Sequence, residues 1–236
     1  MPAALVTGSA KGIGKALILA LAEDGYDVAV HYRSSRDAAD SVVREASKAG
    51  VRAIALQADV TRRDQAEQLV ASAHQVFGSL DVLINNVGDY YRGPLADLSP
   101  NTWHAMFDSN LHATFYTCQK ATGIMRNQRR GRIINIGYAG AENLVARPAI
   151  AAYAIAKTGV ILYSKALAKN EAANGITVNV INPGVMENSD SKPFREIPMG
   201  RSGHLAELVA TARFLLAPEA AYVTGVTIEV AGGWNL

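Results

Sequence analysis

A single cysteine, Cys118, stands in 236 residues, so no disulfide can close within the chain. Its setting, Phe-Tyr-Thr-Cys-Gln, reads as the buried side of a helix and points to a small core hydrophobe rather than a reactive thiol. An excess of one charge is missing too. With 23 basic against 21 acidic residues the formal charge is +2, too small for the cationic field that holds a nucleic-acid backbone, so nucleic acid is not an expected partner. No uncharged apolar run reaches the ~18 residues of a membrane span. The opening Met-Pro-Ala-Ala-Leu-Val-Thr-Gly carries neither a charged leader nor a long apolar segment, so the expectation is a reducing, cytoplasmic setting with no membrane partner. Internal repeats and low-complexity linkers are also missing. With 49% hydrophobic residues the chain can bury one large core, and one domain over 1–236 is expected.

What is there alternates. Short apolar runs at 3–6, 28–32, 53–56, 82–84, 132–136, 177–181 and 226–230 read as strands, mostly without strict polar alternation, which suits strands buried on both faces. Helical patterns lie between them, at 12–24, 35–49, 64–77, 102–126, 151–174 and 205–216. The β-α-β-α order predicts an α/β fold, a Rossmann-like doubly wound parallel sheet of about seven strands with helices on both faces. Ser99-Pro100 supplies an N-cap and a first-turn proline to the long helix that carries Asn110. The irregular stretch from 183 to 203, rich in proline, glycine and charge, leaves the end of the sixth strand. Ligands of open parallel sheets bind at that edge, so 185–203 is a candidate substrate loop.

Directly after the first strand comes Thr7-Gly8-Ser9-Ala10-Lys11-Gly12-Ile13-Gly14, leading into a helix. The glycines allow a tight turn and let a pyrophosphate approach the backbone, while the helix N-terminus offers free N–H groups to an anion. At the end of the second strand, where an NAD enzyme places a carboxylate for the ribose hydroxyl, the chain reads His31-Tyr32-Arg33-Ser34-Ser35. Arg33 there, with Lys11 in the glycine loop, suits a 2′-phosphate and hence NADPH. Farther on, Tyr153-Ala154-Ile155-Ala156-Lys157 sets a phenol and an ammonium four residues apart on one helix face. A neighbouring ammonium favours the phenolate, so the tyrosine pKa is expected to fall.

The spacing T-G-x-x-x-G-x-G resembles that of the short-chain dehydrogenase/reductase family, and further motifs match in order along nearly the whole chain: Asp59-Val60, Asn85-Asn86-Val87-Gly88, Y-x-x-x-K, Pro183-Gly184, and Val223-Thr224-Gly225 through Gly232-Gly233-Trp234. The resemblance implies carbonyl reduction with NADPH/NADP. Tyr153 would protonate the substrate oxygen, Lys157 would hold the nicotinamide ribose, and Asn110 would support a proton path to the lysine. The cofactor would lie against Gly8, Ser9, Lys11, Gly12, Ile13, Gly14, Arg33, Ser34, Asp59, Val60, Asn86, Val87, Gly88, Pro183, Gly184 and Val185, with no metal. It also implies a homotetramer packed through the Y-x-x-x-K helix and the last strands.

Two departures stand out. The family's substrate-binding serine is missing, since no serine or threonine occurs between Asn135 and Tyr153. Tyr138 occupies that place and offers a longer hydroxyl donor. Asn188 replaces a threonine that commonly bonds the carboxamide, and a short 188–197 stretch implies an open substrate mouth, which Asp89-Tyr90-Tyr91 could line with Tyr138. His31-Tyr32-Arg33-Ser34 and Ile197-Pro198-Met199-Gly200-Arg201 resemble members of the 3-oxoacyl-(acyl-carrier-protein) reductase type, implying a small or acyl-carrier-bound carbonyl substrate. A pterin reductase-like enzyme and a non-catalytic NADP(H)-binding protein are the alternatives.

Overall fold

Seven apolar runs, each too short to make a useful helix, become strands in the computed structural model, which describes residues 1–190 and 192–235. Ser191, inside the candidate substrate loop, and Leu236 lie outside the described residues. The strands are β1 (Ala3–Val6), β2 (Asp27–Tyr32), β3 (Ala53–Gln57), β4 (Val82–Asn85), β5 (Gly131–Ile136), β6 (Ile176–Pro183) and β7 (Thr227–Val230). They form one parallel sheet in the order β3-β2-β1-β4-β5-β6-β7. The order reverses between β1 and β4, which opens a crevice beyond their carboxyl ends.

The helices are α1 (Gly12–Glu23), α2 (Arg36–Ser47), α3 (Arg63–Phe77), α4 (Pro100–Phe107), α5 (Ala113–Gln128), α6 (Ala151–Glu171) and α7 (Leu205–Leu216). They cover both faces of the sheet. On one side Ala4, Val6, Val28 and Val30 pack with Leu17 and Ile18 of α1, Val42 of α2 and Leu208 of α7. On the other, Ala3, Leu5, Ala29 and Leu83 pack with Leu69 of α3, Cys118 and Met125 of α5 and Ala168 of α6. Successive strand side chains point to opposite faces, and both faces are covered, which is why the strands read as unbroken apolar runs.

The helix expected over 102–126 is not one regular helix. Ser99 caps α4 by accepting from the Thr102 N–H at 3.1 Å, as expected. Between α4 and α5, however, Asp108–His112 winds as a π-turn that holds Asn110 fully buried. Side-chain spacing carries no signal for such a turn, which tertiary contacts impose. α6 also qualifies a second expectation. With its flanking turns it spans Pro148–Asn174 and contains a window of mean hydropathy 1.2, long and apolar enough to cross a membrane by composition alone. Lys157, Lys165 and Lys169 interrupt the run, and the helix packs on β6 with Lys157, Ser164 and Glu171 buried. The 185–203 loop folds back on itself, with the Glu187 N–H donating to Gly203 O and the Gly203 N–H to Val185 O.

Candidate active site

The glycine loop leaves β1 at the crevice. The Thr7 hydroxyl accepts from the Asn86 and Val87 N–H groups at 2.9 and 3.1 Å, tying the loop to the turn after β4. Gly8 and Gly12 adopt φ of 65° and 56°, conformations that disfavour any side chain. A β-carbon on Gly14 would strike Gly8 O and lie 2.7 Å from Asn86 Nδ2. The first turn of α1 has neither a side-chain cap nor an acidic residue, so its N–H groups remain free for an anion.

His31 braces this loop. Its Nδ1 accepts from the Gly8 N–H at 2.8 Å, which fixes the proton on Nε2, and Nε2 donates to Ala58 O at 3.1 Å. Burial lowers its pKa to about 4, so the ring is neutral. Ser9 is turned inward: its hydroxyl donates to Val6 O and accepts from the His31 N–H. That fully buried side chain is therefore engaged within the fold, which leaves the Ser9 backbone to face the loop.

A cleft of about 280 Å³ opens beside the loop, lined by Gly8, His31, Arg33, Asp59, Val60 and Asn86 among others. Burial works against ionisation of Asp59, but hydrogen bonds from Thr61 and the charges of Arg33 and Arg62 hold its carboxyl below the usual range. Ser34 and Lys11 are exposed and outside this lining. Lys11 sits at the N-cap of α1. Val87 and Gly88 line the cleft, and Ile13 packs on the core from the first turn of α1.

A larger cleft of about 840 Å³ adjoins it, with Tyr90, Tyr138, Arg147, Tyr153, Asn188 and Trp234 in its wall. Pro183, Gly184 and Val185, leaving β6, border it as well. α6 brings Tyr153 and Lys157 to one face as the four-residue spacing requires. Tyr153 packs edge-on to Tyr90 with ring centres 5.0 Å apart and lies 5.4 Å from Tyr138. Tyr91 instead folds against Gly93, and Asp89 borders the smaller cleft, so of the three only Tyr90 lines the mouth.

The electrostatics depart from expectation. Burial, reinforced by Tyr90 and Tyr138, raises the Tyr153 pKa instead of lowering it. Burial also lowers that of Lys157 to about 8. The ammonium donates to Ile136 O at 2.7 Å and stands 6.0 Å from the Tyr153 ring centre, too weakly placed to reverse the desolvation of the phenol. Asn110 Nδ2 donates to Asp89 O and Met106 O, both at 2.9 Å, which is a structural role; its Oδ1 is buried and without a partner. That oxygen lies against Gly88, where a β-carbon would collide with it and sit 3.1 Å from Lys157 Nζ. Asn110 Oδ1 and Lys157 Nζ therefore both lie close against Gly88.

Three features escaped the sequence. His31 as the brace of the loop needs a three-dimensional contact to be seen, as does Arg147 in the larger cleft. Trp234 and Asn235 reach the same cleft from the end of the chain. Among the described residues no cluster of metal-ligating side chains occurs.

Residues 8–235 match the family model described as enoyl-(acyl carrier protein) reductase. The chain is 41% identical to a 3-oxoacyl-(acyl-carrier-protein) reductase of Synechocystis, over 98% of this chain and 95% of that protein. A 3-oxoacyl-(acyl-carrier-protein) reductase of Staphylococcus aureus is 39% identical over 98% and 96%. Among solved structures, a blue fluorescent protein from a metagenomic library, in complex with NADPH, superposes with a TM-score of 0.93 at 33% identity, over 100% of this chain and 98% of that one.

Proposed function

The chain belongs to the short-chain dehydrogenase/reductase family, and we propose that it reduces a carbonyl of the 3-oxoacyl thioester type, or another small ketone, to an alcohol with NADPH. The observation that carries this reading is the position of Tyr153, which borders the larger cleft with Lys157 Nζ 6.0 Å from its ring centre and Asn110 Oδ1 beside that lysine at Gly88.

The residues fit a dinucleotide. The free N–H groups of α1 and the bare glycine loop suit the pyrophosphate, Asp59 and Val60 the adenine, and Asn86 through Gly88 the ribose beyond. Arg33, with no carboxylate following it at the end of β2, suits a 2′-phosphate, and Lys11, exposed at the N-cap of α1, adds a second cation to the glycine loop. Pro183, Gly184 and Val185 would flank the nicotinamide. The bound cofactor supplies a hydride to the carbonyl carbon. Tyr153 delivers the proton to the carbonyl oxygen, Lys157 stabilises the phenolate left behind, and Asn110 Oδ1 holds a proton path open to Lys157. Tyr138 donates the second hydrogen bond to the oxygen in place of the absent serine. The same reading makes the protein a cytoplasmic homotetramer, for which the exposed Ile155 and Leu162 on α6 provide an apolar face.

Steady-state oxidation of NADPH and of NADH with 3-oxobutanoyl N-acetylcysteamine thioester tests the proposal. Turnover with NADPH preferred, and that preference weakened in Arg33→Ala, is the expected result; equal use of both cofactors overturns the Arg33 assignment.

A further inference from the structure

Four charged side chains border the larger cleft: Arg92, Arg147, Asp190 and Glu196. Three of them are exposed, where water and salt screen them. Arg147 is different. It is half-buried, and its guanidinium carbon stands 6.0 Å from the centre of the Tyr138 ring, one ring away from Tyr153. Its Nε is buried without a hydrogen-bond partner. Glu229, a carboxylate whose charge acts on Tyr138, is already engaged by Asn182 Nδ2 at 2.8 Å and by the Gly140 N–H at 3.3 Å. Among the described residues Arg147 forms no ion pair.

A sheltered guanidinium with an unmet donor is costly unless something compensates it. Its approach to the Tyr138 ring and hydroxyl accounts for its position and part of its charge, but not for the buried Nε. Nε itself is closed off from the cleft, but Arg147 borders the cleft and its Nη groups form no ion pair among the described residues, so a ligand there can supply an acceptor to that end of the guanidinium. The planar fork of an arginine matches a carboxylate in two parallel hydrogen bonds, and a lysine or a neutral side chain would not.

We propose that Arg147 is an anion-recognition residue, and that the preferred substrates are oxo acids carrying a free carboxylate within a few bonds of the carbonyl. The inference rests on the reductase reading above and narrows its substrate class. The carboxylate docks on Arg147 and places the carbonyl oxygen between Tyr138 and Tyr153. Hydride from NADPH adds to the carbonyl carbon, the Tyr153 proton adds to the oxygen, and the products are a hydroxy acid and NADP⁺. The carboxylate itself does not change. A thioester presents only a neutral oxygen at that place and makes a weaker bond to the arginine.

The test compares 3-oxobutanoate with its methyl ester in the wild-type protein, Arg147→Lys and Arg147→Met, reading kcat/KM for NADPH oxidation and, by calorimetry on the NADP⁺-loaded protein, the binding of each compound. The wild type is expected to favour the acid over the ester by roughly tenfold or more, the gain from a charge-assisted pair over a neutral hydrogen bond. That ratio should fall towards one in Arg147→Met, chiefly through KM, and recover in part in Arg147→Lys. Equal handling of acid and ester by the wild type overturns the inference while leaving the reductase reading intact. So does a ratio that Arg147→Met leaves in place, since the arginine then only supports Tyr138. If neither compound is turned over while the thioester is, the inference is overturned and the reductase reading stands; if the thioester is not turned over either, the reductase reading has failed, and the calorimetric acid-to-ester ratio still decides the anion site.

Discussion

Tyr153 and Lys157 lie on one face of α6, and burial drives their proton affinities apart: the phenol becomes a weaker acid and the ammonium, with a pKa lowered to about 8, a stronger one. Proton delivery by such a phenol depends on a positive charge close enough to stabilise the phenolate as it forms. The rate of carbonyl reduction is therefore expected to fall as pH rises through about 8, where Lys157 loses its proton. A pH–rate profile checks this, and Lys157→Arg, which stays charged, should move the inflection out of that range. Tyr138 bears on the same oxygen. If its hydroxyl replaces the missing serine, Tyr138→Phe should lower kcat by roughly 10²–10³, the usual cost of losing one donor to a developing oxyanion. A rate equal to the parent's would remove Tyr138 from the mechanism and leave it as the shelf on which Arg147 rests.

The loop from β1 to α1 tolerates little change, because Gly8 and Gly12 hold positive φ and Gly14 sits against the Gly8 backbone. Gly14→Ala would push a methyl group into Gly8 O, so NADPH affinity is expected to drop by roughly tenfold or more, with a lower melting temperature. Fluorescence titration of NADPH and a thermal melt measure both; an unchanged affinity would mean that the loop does not cradle the cofactor. Such glycines are legible in a sequence, since the backbone geometry they permit is local. So are the seven strands, whose two-sided burial leaves apolar runs, and the helix face shared by Tyr153 and Lys157. The π-turn around Asn110, the inward rotation of Ser9 and the brace from His31 are not legible. Each depends on contacts between elements far apart in the chain, as in the His31 bridge from Gly8 to Ala58. The sign of the Tyr153 shift was lost for the same reason: spacing shows that an ammonium is near, but not how dry the site is.

The whole molecule keeps several ionisable groups in states that acid reverses. His31 is buried and neutral with its pKa lowered from 6.5 to about 4, so the unfolded chain binds a proton more readily than the folded one between those values. Its contribution is complete above about pH 6.5 and is lost as pH falls towards 4, on the order of 3 kcal/mol in all. Glu171, buried against Arg126 with its pKa lowered to about 2, and Asp27 against Arg52 add a second loss at lower pH, as their carboxylates protonate. The melting temperature should accordingly decline from pH 7 to 4. In His31→Gln, though its melting point is lower throughout, the decline over that interval should be shallower; an equal slope would show that His31 does not set it. The proposed function takes the cofactor in the smaller cleft and the substrate in the larger one, which Tyr153 borders. The most direct measurement is NADPH oxidation by the purified protein with a 3-oxoacyl thioester and a 3-oxo acid, set beside NADPH binding, in wild type and Tyr153→Phe. The account predicts turnover by the wild type and its loss in the variant, with NADPH still bound by both. Turnover that survives the loss of the phenol, or NADPH binding without turnover of either compound by the wild type, would contradict it.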